Sequence, residues 1–106
     1  MDLEFQTRVE KGKGIIDVEG DLDDESSGEA LRRAFSKLFD GGARTIVLDL
    51  RRVQIINSYG IGKILMCHKR LKSDGGVLMV KPLSGTVKET FELLMLDSIF
   101  PVDSED

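Results

Sequence analysis

Two short apolar runs, Thr45 to Leu50 and Val77 to Val80, are separated by one long helical pattern and preceded by another. Runs this rich in Val, Ile and Leu, with little polar alternation, read as strands covered on both faces. Strands that alternate with helices in this way build a parallel sheet with right-handed crossovers. Ahead of them, Leu3, Phe5, Thr7 and Val9 alternate with polar residues, as in a half-buried strand. Lys11 to Gly14 is polar and glycine-rich, which predicts a hairpin turn, and Ile15 to Glu19 returns as the second strand. The hairpin makes the sheet mixed. The chain therefore reads as one α/β domain spanning residues 1–106, with a four- to five-stranded sheet and three or four helices packed against it.

The helices have recognisable starts and stops. Ser26 and Glu29 have capping-box spacing, and Leu31, Phe35, Leu38 and Phe39 share one face before Gly41-Gly42 ends the helix. A second helix is expected from Ser58 to about Asp74-Gly75-Gly76, with Ile61, Ile64, Leu65, His68, Leu71 and Lys72 sharing one face. Either Ser84 or Thr86 can cap a third, with Val87, Phe91, Leu94 and Met95 as its apolar stripe. Ile99 to Val102 contains Pro101, so it fits only an edge strand. Residues 103–106 are expected to fray.

The residue inventory excludes several functions. The 106 residues include one cysteine (Cys67), one histidine (His68) and no tryptophan, and the net charge is −4. An internal disulfide is impossible, and no metal centre or cofactor is expected. The acidic balance speaks against direct nucleic-acid binding. No apolar stretch is long enough to cross a membrane, and Met1-Asp2-Leu3-Glu4 lacks a signal-peptide start, so a cytoplasmic location is expected.

The junction Asn57-Ser58-Tyr59-Gly60-Ile61-Gly62-Lys63 carries the chemistry. Ser58 stands at a helix start, where a hydroxyl either caps the free N–H groups or presents itself to an anion or a partner. Gly60 and Gly62 lack side chains and permit close backbone approach. The stretch is not a phosphate-binding P-loop, because Asn57 replaces the first glycine and Ile64 the metal-binding hydroxyl. It is not a nucleophile elbow either, because Ile56 replaces the leading glycine. His68 lies ten residues further along the same helix, a rise of about 15 Å, beyond proton-transfer reach of Ser58. No catalytic residue is assigned. Asp21, Asp23, Asp24 and Glu25 precede a helix, where acidic residues are expected on dipole grounds alone.

The order of elements and the junction together resemble a STAS domain, and specifically an anti-sigma factor antagonist. Gly20-Asp21-Leu22-Asp23 is similar to the family's Gly-x-Leu-Asp. Val47-Leu48-Asp49-Leu50 with Val53 matches the strand and turn before the site. Asn57-Ser58-Tyr59-Gly60-Ile61-Gly62 resembles Asp-Ser-Ser-Gly-Leu-Gly, and Gly75-Gly76, Ser84, Val87 and Phe91 match downstream. The resemblance implies that Ser58 is phosphorylated by an anti-sigma factor with serine kinase activity, and that a PP2C-type phosphatase reverses this. The unphosphorylated form would bind the anti-sigma factor and release a sigma factor. Asp23, Asn57, Ser58, Tyr59, Gly60 and Gly62 would form the partner-binding surface, with Lys63 near enough to face the partner. Asn57 stands where the family has aspartate, and Tyr59 where a small serine is common. These departures open an alternative: a STAS adaptor or regulatory subunit that binds without phosphorylation, for example in a lipid-transport ABC system.

Overall fold

The computed structural model describes residues 3–105. Two antiparallel strands, β1 (Gln6–Glu10) and β2 (Lys13–Glu19), lead into α1 (Glu25–Asp40). There follow β3 (Thr45–Arg52), α2 (Ser58–Ser73), β4 (Val77–Val80), α3 (Gly85–Leu93) and a 3₁₀ turn, Leu96–Ser98. The sheet order is β1-β2-β3-β4, with β2, β3 and β4 mutually parallel. The mixed four-stranded sheet and three helices are those expected from the alternation of patterns.

Side-chain alternation divides the sheet into two faces. Ile16, Val18, Ile46, Leu48, Leu50 and Leu78 face the helices and join Leu31, Phe35, Ile64, Leu71 and Phe91 in one core. Ile15 and Val47 point the other way and are also buried, which accounts for the nearly unbroken apolar run of β3. Because β2, β3 and β4 are parallel, the starts of α1 and α2 both lie at the carboxyl ends of strands, where ligands and partners meet α/β sheets.

Four local expectations are corrected. The capping box of α1 is formed by Asp24 and Ser27, not by Ser26 and Glu29. Asp24 Oδ1 accepts from the Ser27 N–H at 2.9 Å, and Ser27 Oγ accepts from the Asp24 N–H at 3.1 Å. An ionised carboxylate is the stronger acceptor at a helix N-terminus, so the helix starts earlier. The α3 stripe stops short: Val87 and Phe91 are buried, but the chain turns left-handed at Met95 (φ 59°), which leaves Leu94 and Met95 exposed. Leu3 and Val9, expected on the buried face of the first strand, are both exposed.

The fourth concerns the C-terminal segment, which does not fray at residue 103. Val102 bridges Val80, Asp103 N–H donates to the Val80 carbonyl at 2.8 Å, and buried Asp103 pairs with buried Lys81 at 3.4 Å and Lys13 at 3.3 Å. Lys81 also donates to the Glu105 carbonyl.

Candidate functional site

Two loops meet at the carboxyl end of the sheet. The β2–α1 loop turns at Gly20 (φ +90°) and drops the fully buried Leu22 into the core. Leu22 N–H donates to the Ile55 carbonyl at 2.9 Å, and Leu22 bridges Ile56 in parallel fashion, so this loop is paired with the β3–α2 loop. The Ser27 amide and hydroxyl hold the Asp24 carboxyl below the usual carboxylate range. From the other side, Thr86 donates to the Gln54 carbonyl at 2.8 Å and anchors the start of α3.

Asn57 joins the two loops. Its side-chain oxygen accepts from Gly60 N–H at 3.1 Å and caps α2, while its side-chain nitrogen donates to the Asp23 carbonyl at 2.9 Å. Asn57 is therefore the cap, and Ser58 is the first residue of the helix. The expectation of Ser58 as a cap is corrected: a hydroxyl at the first helical position sits beyond the cap and is free to turn outward. Ser58 is exposed, and among the described residues none hydrogen-bonds its hydroxyl. The N–H groups of Ser58 and Tyr59 are likewise left open at the positive end of a 16-residue helix.

The neighbours of Ser58 play different parts. Gly60 is buried, and a Cβ there would stand 2.1 Å from the Leu22 carbonyl oxygen. The close approach it permits is thus to the chain's own loop and not to a partner. Gly62 has nothing within 4 Å of its missing side chain and leaves open space on α2. The Tyr59 ring lies across α1, where a Cβ on Gly28 would meet Tyr59 Cε2 at 2.8 Å. The ring nevertheless remains 38% exposed, and Lys63 Nζ stands 5.5 Å from its centroid. Asp23, Asn57, Ser58, Tyr59, Gly62 and Lys63 are thereby brought to one end of the molecule. Gly28 was missed from sequence, and Leu22 stood there only as part of the Gly20-Asp21-Leu22-Asp23 motif, with no role of its own. A glycine inside a helical pattern is a signal for Gly28, since it costs about 1 kcal/mol relative to alanine without a packing reason. The Leu22 carbonyl left no sequence signal.

Among the described residues, none hydrogen-bonds the Ser58 hydroxyl to draw off its proton. His68 lies on α2 ten residues on, edge-to-face with Phe100 at 5.2 Å, and its Nδ1 is buried without a partner. Burial pushes the Cys67 thiol up to about 12, so it is held as the unreactive thiol at neutral pH. Among the described residues, no three His, Cys, Asp or Glu side chains are grouped to hold a metal ion, and no helix is long and apolar enough to cross a membrane.

Residues 2–105 match the family described as STAS domain. A putative anti-sigma factor antagonist, BtrV, of Bordetella bronchiseptica is 36% identical over 77 residues, which cover 73% of this chain and 66% of that protein. The anti-sigma F factor antagonist of Paenibacillus polymyxa is 26% identical over 102 residues, covering 96% and 87% of the two chains. The Bacillus cell fate determinant SpoIIAA, solved in its phosphorylated form, superposes with a TM-score of 0.72 at 25% identity, covering 95% of this chain and 92% of that one.

Proposed function

Because the chain belongs to the STAS domain family, and its relatives are named anti-sigma factor antagonists, we propose that it docks on an anti-sigma factor through the Ser58 end of the molecule and is switched off by phosphorylation of Ser58. The observation that carries this reading is the exposed Ser58 hydroxyl, not engaged by any described residue, at the first position of α2 with Asn57 taking over the capping. The likeness to SpoIIAA, solved in a phosphorylated form, supports it.

The chemistry is that of an acceptor, not of a catalyst. In the transfer, Ser58 Oγ attacks the γ-phosphorus of ATP held by the partner kinase. The bond from that phosphorus to the β-bridging oxygen breaks, ADP leaves, and the kinase's base takes the hydroxyl proton. This chain positions the hydroxyl and meets the product with the open N–H groups of Ser58 and Tyr59. The added charge of about −1.5 to −2 enters the loop end that Asn57 ties to the Asp23 carbonyl. A partner surface shaped for a neutral hydroxyl would have to desolvate that dianion, which opposes docking. A PP2C-type phosphatase hydrolysing the ester restores the docking form. The setting would be the cytoplasm, where a sigma factor is released.

Intact-mass measurement with ATP and the cognate kinase tests the switch. One phosphate is expected on the wild type and none on Ser58→Ala. Ser58→Asp should weaken binding of the anti-sigma factor by roughly 5–150-fold, the usual range of such couplings. A second reading is favoured by Asn57, whose neutral amide stands where the motif that the sequence resembles has aspartate. In it the chain is an adaptor that never uses Ser58 as an acceptor. The wild type then gains no phosphate, and Ser58→Asp binds its partner as tightly as the wild type.

A further inference from the structure

We propose that the free edge of β1 and the groove beside it form a docking site for an extended acidic segment of a partner protein, added to the sheet as a further strand. β1 is an outer strand and pairs only with β2. The two-residue loop between them, Lys11-Gly12, has both residues at positive φ (52° and 79°), so Glu10 and Lys13 exchange the hydrogen bonds that close the hairpin. Antiparallel hydrogen bonding alternates along a strand. Arg8 and Gln6 therefore also face β2, while the N–H and C=O groups of Thr7 and Val9 point out from the edge. Among the described residues nothing pairs with them.

A groove runs along this edge on the helix side. One part is a cleft of about 340 Å³ between Phe5 and Thr7 of the first strand region and Ala30, Arg33, Ala34 and Lys37 of α1. The next part, about 540 Å³, shares Thr7 and Lys37 and continues past Val9 and Leu38 to Gly41-Gly42. Ala30 and Ala34 keep this flank of α1 low, and Val9 is 66% exposed beside it. Neither part is lined by residues of the β2–α1 or β3–α2 loops, so the groove is separate from the Ser58 end.

The charges identify the occupant. Arg33 and Lys37 stand one turn apart on the rim, a step of about 6 Å along α1. Alternate side chains of a strand are about 6.7 Å apart. A strand beside β1 with carboxylates at positions i and i+2 on its helix-facing side therefore sets one against each cation. Lys37 has no ion-pair partner among the described residues, and Arg33 donates to the Leu3 carbonyl at 2.9 Å while also lying near enough to Glu29 to help lower its carboxyl. Glu4, at the open end, is the one carboxylate lining either part. The same cations oppose a second copy of this chain as the occupant. Pairing β1 with β1 would bring two Arg33 and two Lys37 side chains to one seam.

The test uses a capped seven-residue peptide alternating glutamate and valine, added to the full chain and followed by amide NMR. Shifts should be confined to β1 and the facing flank of α1, and hydrogen exchange at Thr7 and Val9 should slow. Lys37→Glu should bind about three- to tenfold more weakly, as expected for reversing one exposed charge, with Lys37→Gln between the two. Dispersed spectra of both variants would show that they fold. Absence of shifts at millimolar peptide overturns the proposal. So does equal binding of a lysine–valine peptide, or slowed exchange at Thr7 and Val9 that depends on protein concentration without peptide.

Discussion

Gly60 and Gly62 lie two residues apart on α2 and meet opposite surroundings. A methyl group at residue 60 would be driven to 2.1 Å from the Leu22 carbonyl oxygen, a backbone atom that cannot swing aside. Gly60→Ala should therefore cost about 3 kcal/mol, the upper end of ordinary overpacking. A methyl group at residue 62 meets nothing within 4 Å, so Gly62→Ala should stabilise the helix by up to about 1 kcal/mol. Urea denaturation of the two variants reads both numbers, and equal midpoints would refute the packing of α2 on the Leu22 loop. At Asn57, aspartate keeps the cap on Gly60 N–H but loses the donor to the Asp23 carbonyl. Asn57→Asp should cost about 1 kcal/mol, the worth of one hydrogen bond. Asn57→Ala should cost about 1 kcal/mol more, because the cap goes as well. If the two variants melt together, the cap on Gly60 N–H contributes nothing, and if Asn57→Asp melts with the wild type, the bond to the Asp23 carbonyl contributes nothing.

At the scale of elements, helix starts were legible to within a residue or two, and the residues that perform the capping were not. Ser26 and Glu29 have the spacing of a capping box, yet Asp24 and Ser27 form it. Spacing identifies donors and acceptors that could pair, and competition among adjacent acceptors decides which do. The C-terminal segment shows the same limit. Its composition reads as frayed, but Asp103 is buried against Lys81, 22 residues earlier, and Lys13, 90 residues earlier. Burial by itself pushes the Asp103 carboxyl up. The Glu105 amide, with Lys13 and Lys81, outweighs that and holds it below its ordinary value. A lowered carboxyl contributes stability that is present at neutral pH and lost as pH falls through its folded value. The segment should therefore detach below about pH 4, near the ordinary range of aspartate. Faster amide exchange at Asp103 and Val80 as pH is lowered, corrected for the intrinsic rate, would record it. Asp103→Asn should loosen the segment already at neutral pH and remove that acid step.

Across the whole molecule, one core joins the helix face of the sheet to all three helices. Cys67 lies at its edge, 6% exposed, and burial pushes its thiol up to about 12. A thiol reagent at about pH 8 should thus label Cys67 only through global unfolding, because the thiolate is the reacting form. The labelling rate should rise with urea in step with the unfolding rate, and rapid stoichiometric labelling of the native chain would show that the core opens locally. The alternation of β-branched runs with 3.6-residue stripes determined, without help, the mixed sheet, its three helices and the Ser58 junction. Those features follow from periods of two and 3.6 residues, which are local properties of the chain. The single histidine, ten residues beyond Ser58 on the same helix, likewise spoke against a serine triad before any coordinates. Tertiary structure alone decided that Asn57 and not Ser58 caps α2, that Gly60 faces the Leu22 carbonyl, that Tyr59 lies on Gly28, and that Asp103 is held by Lys81. Each is a contact between residues at least 22 apart in sequence, or a choice among neighbouring groups that such contacts settle. No local pattern encodes which distant backbone atom will stand opposite a given side chain, because that depends on how the elements dock.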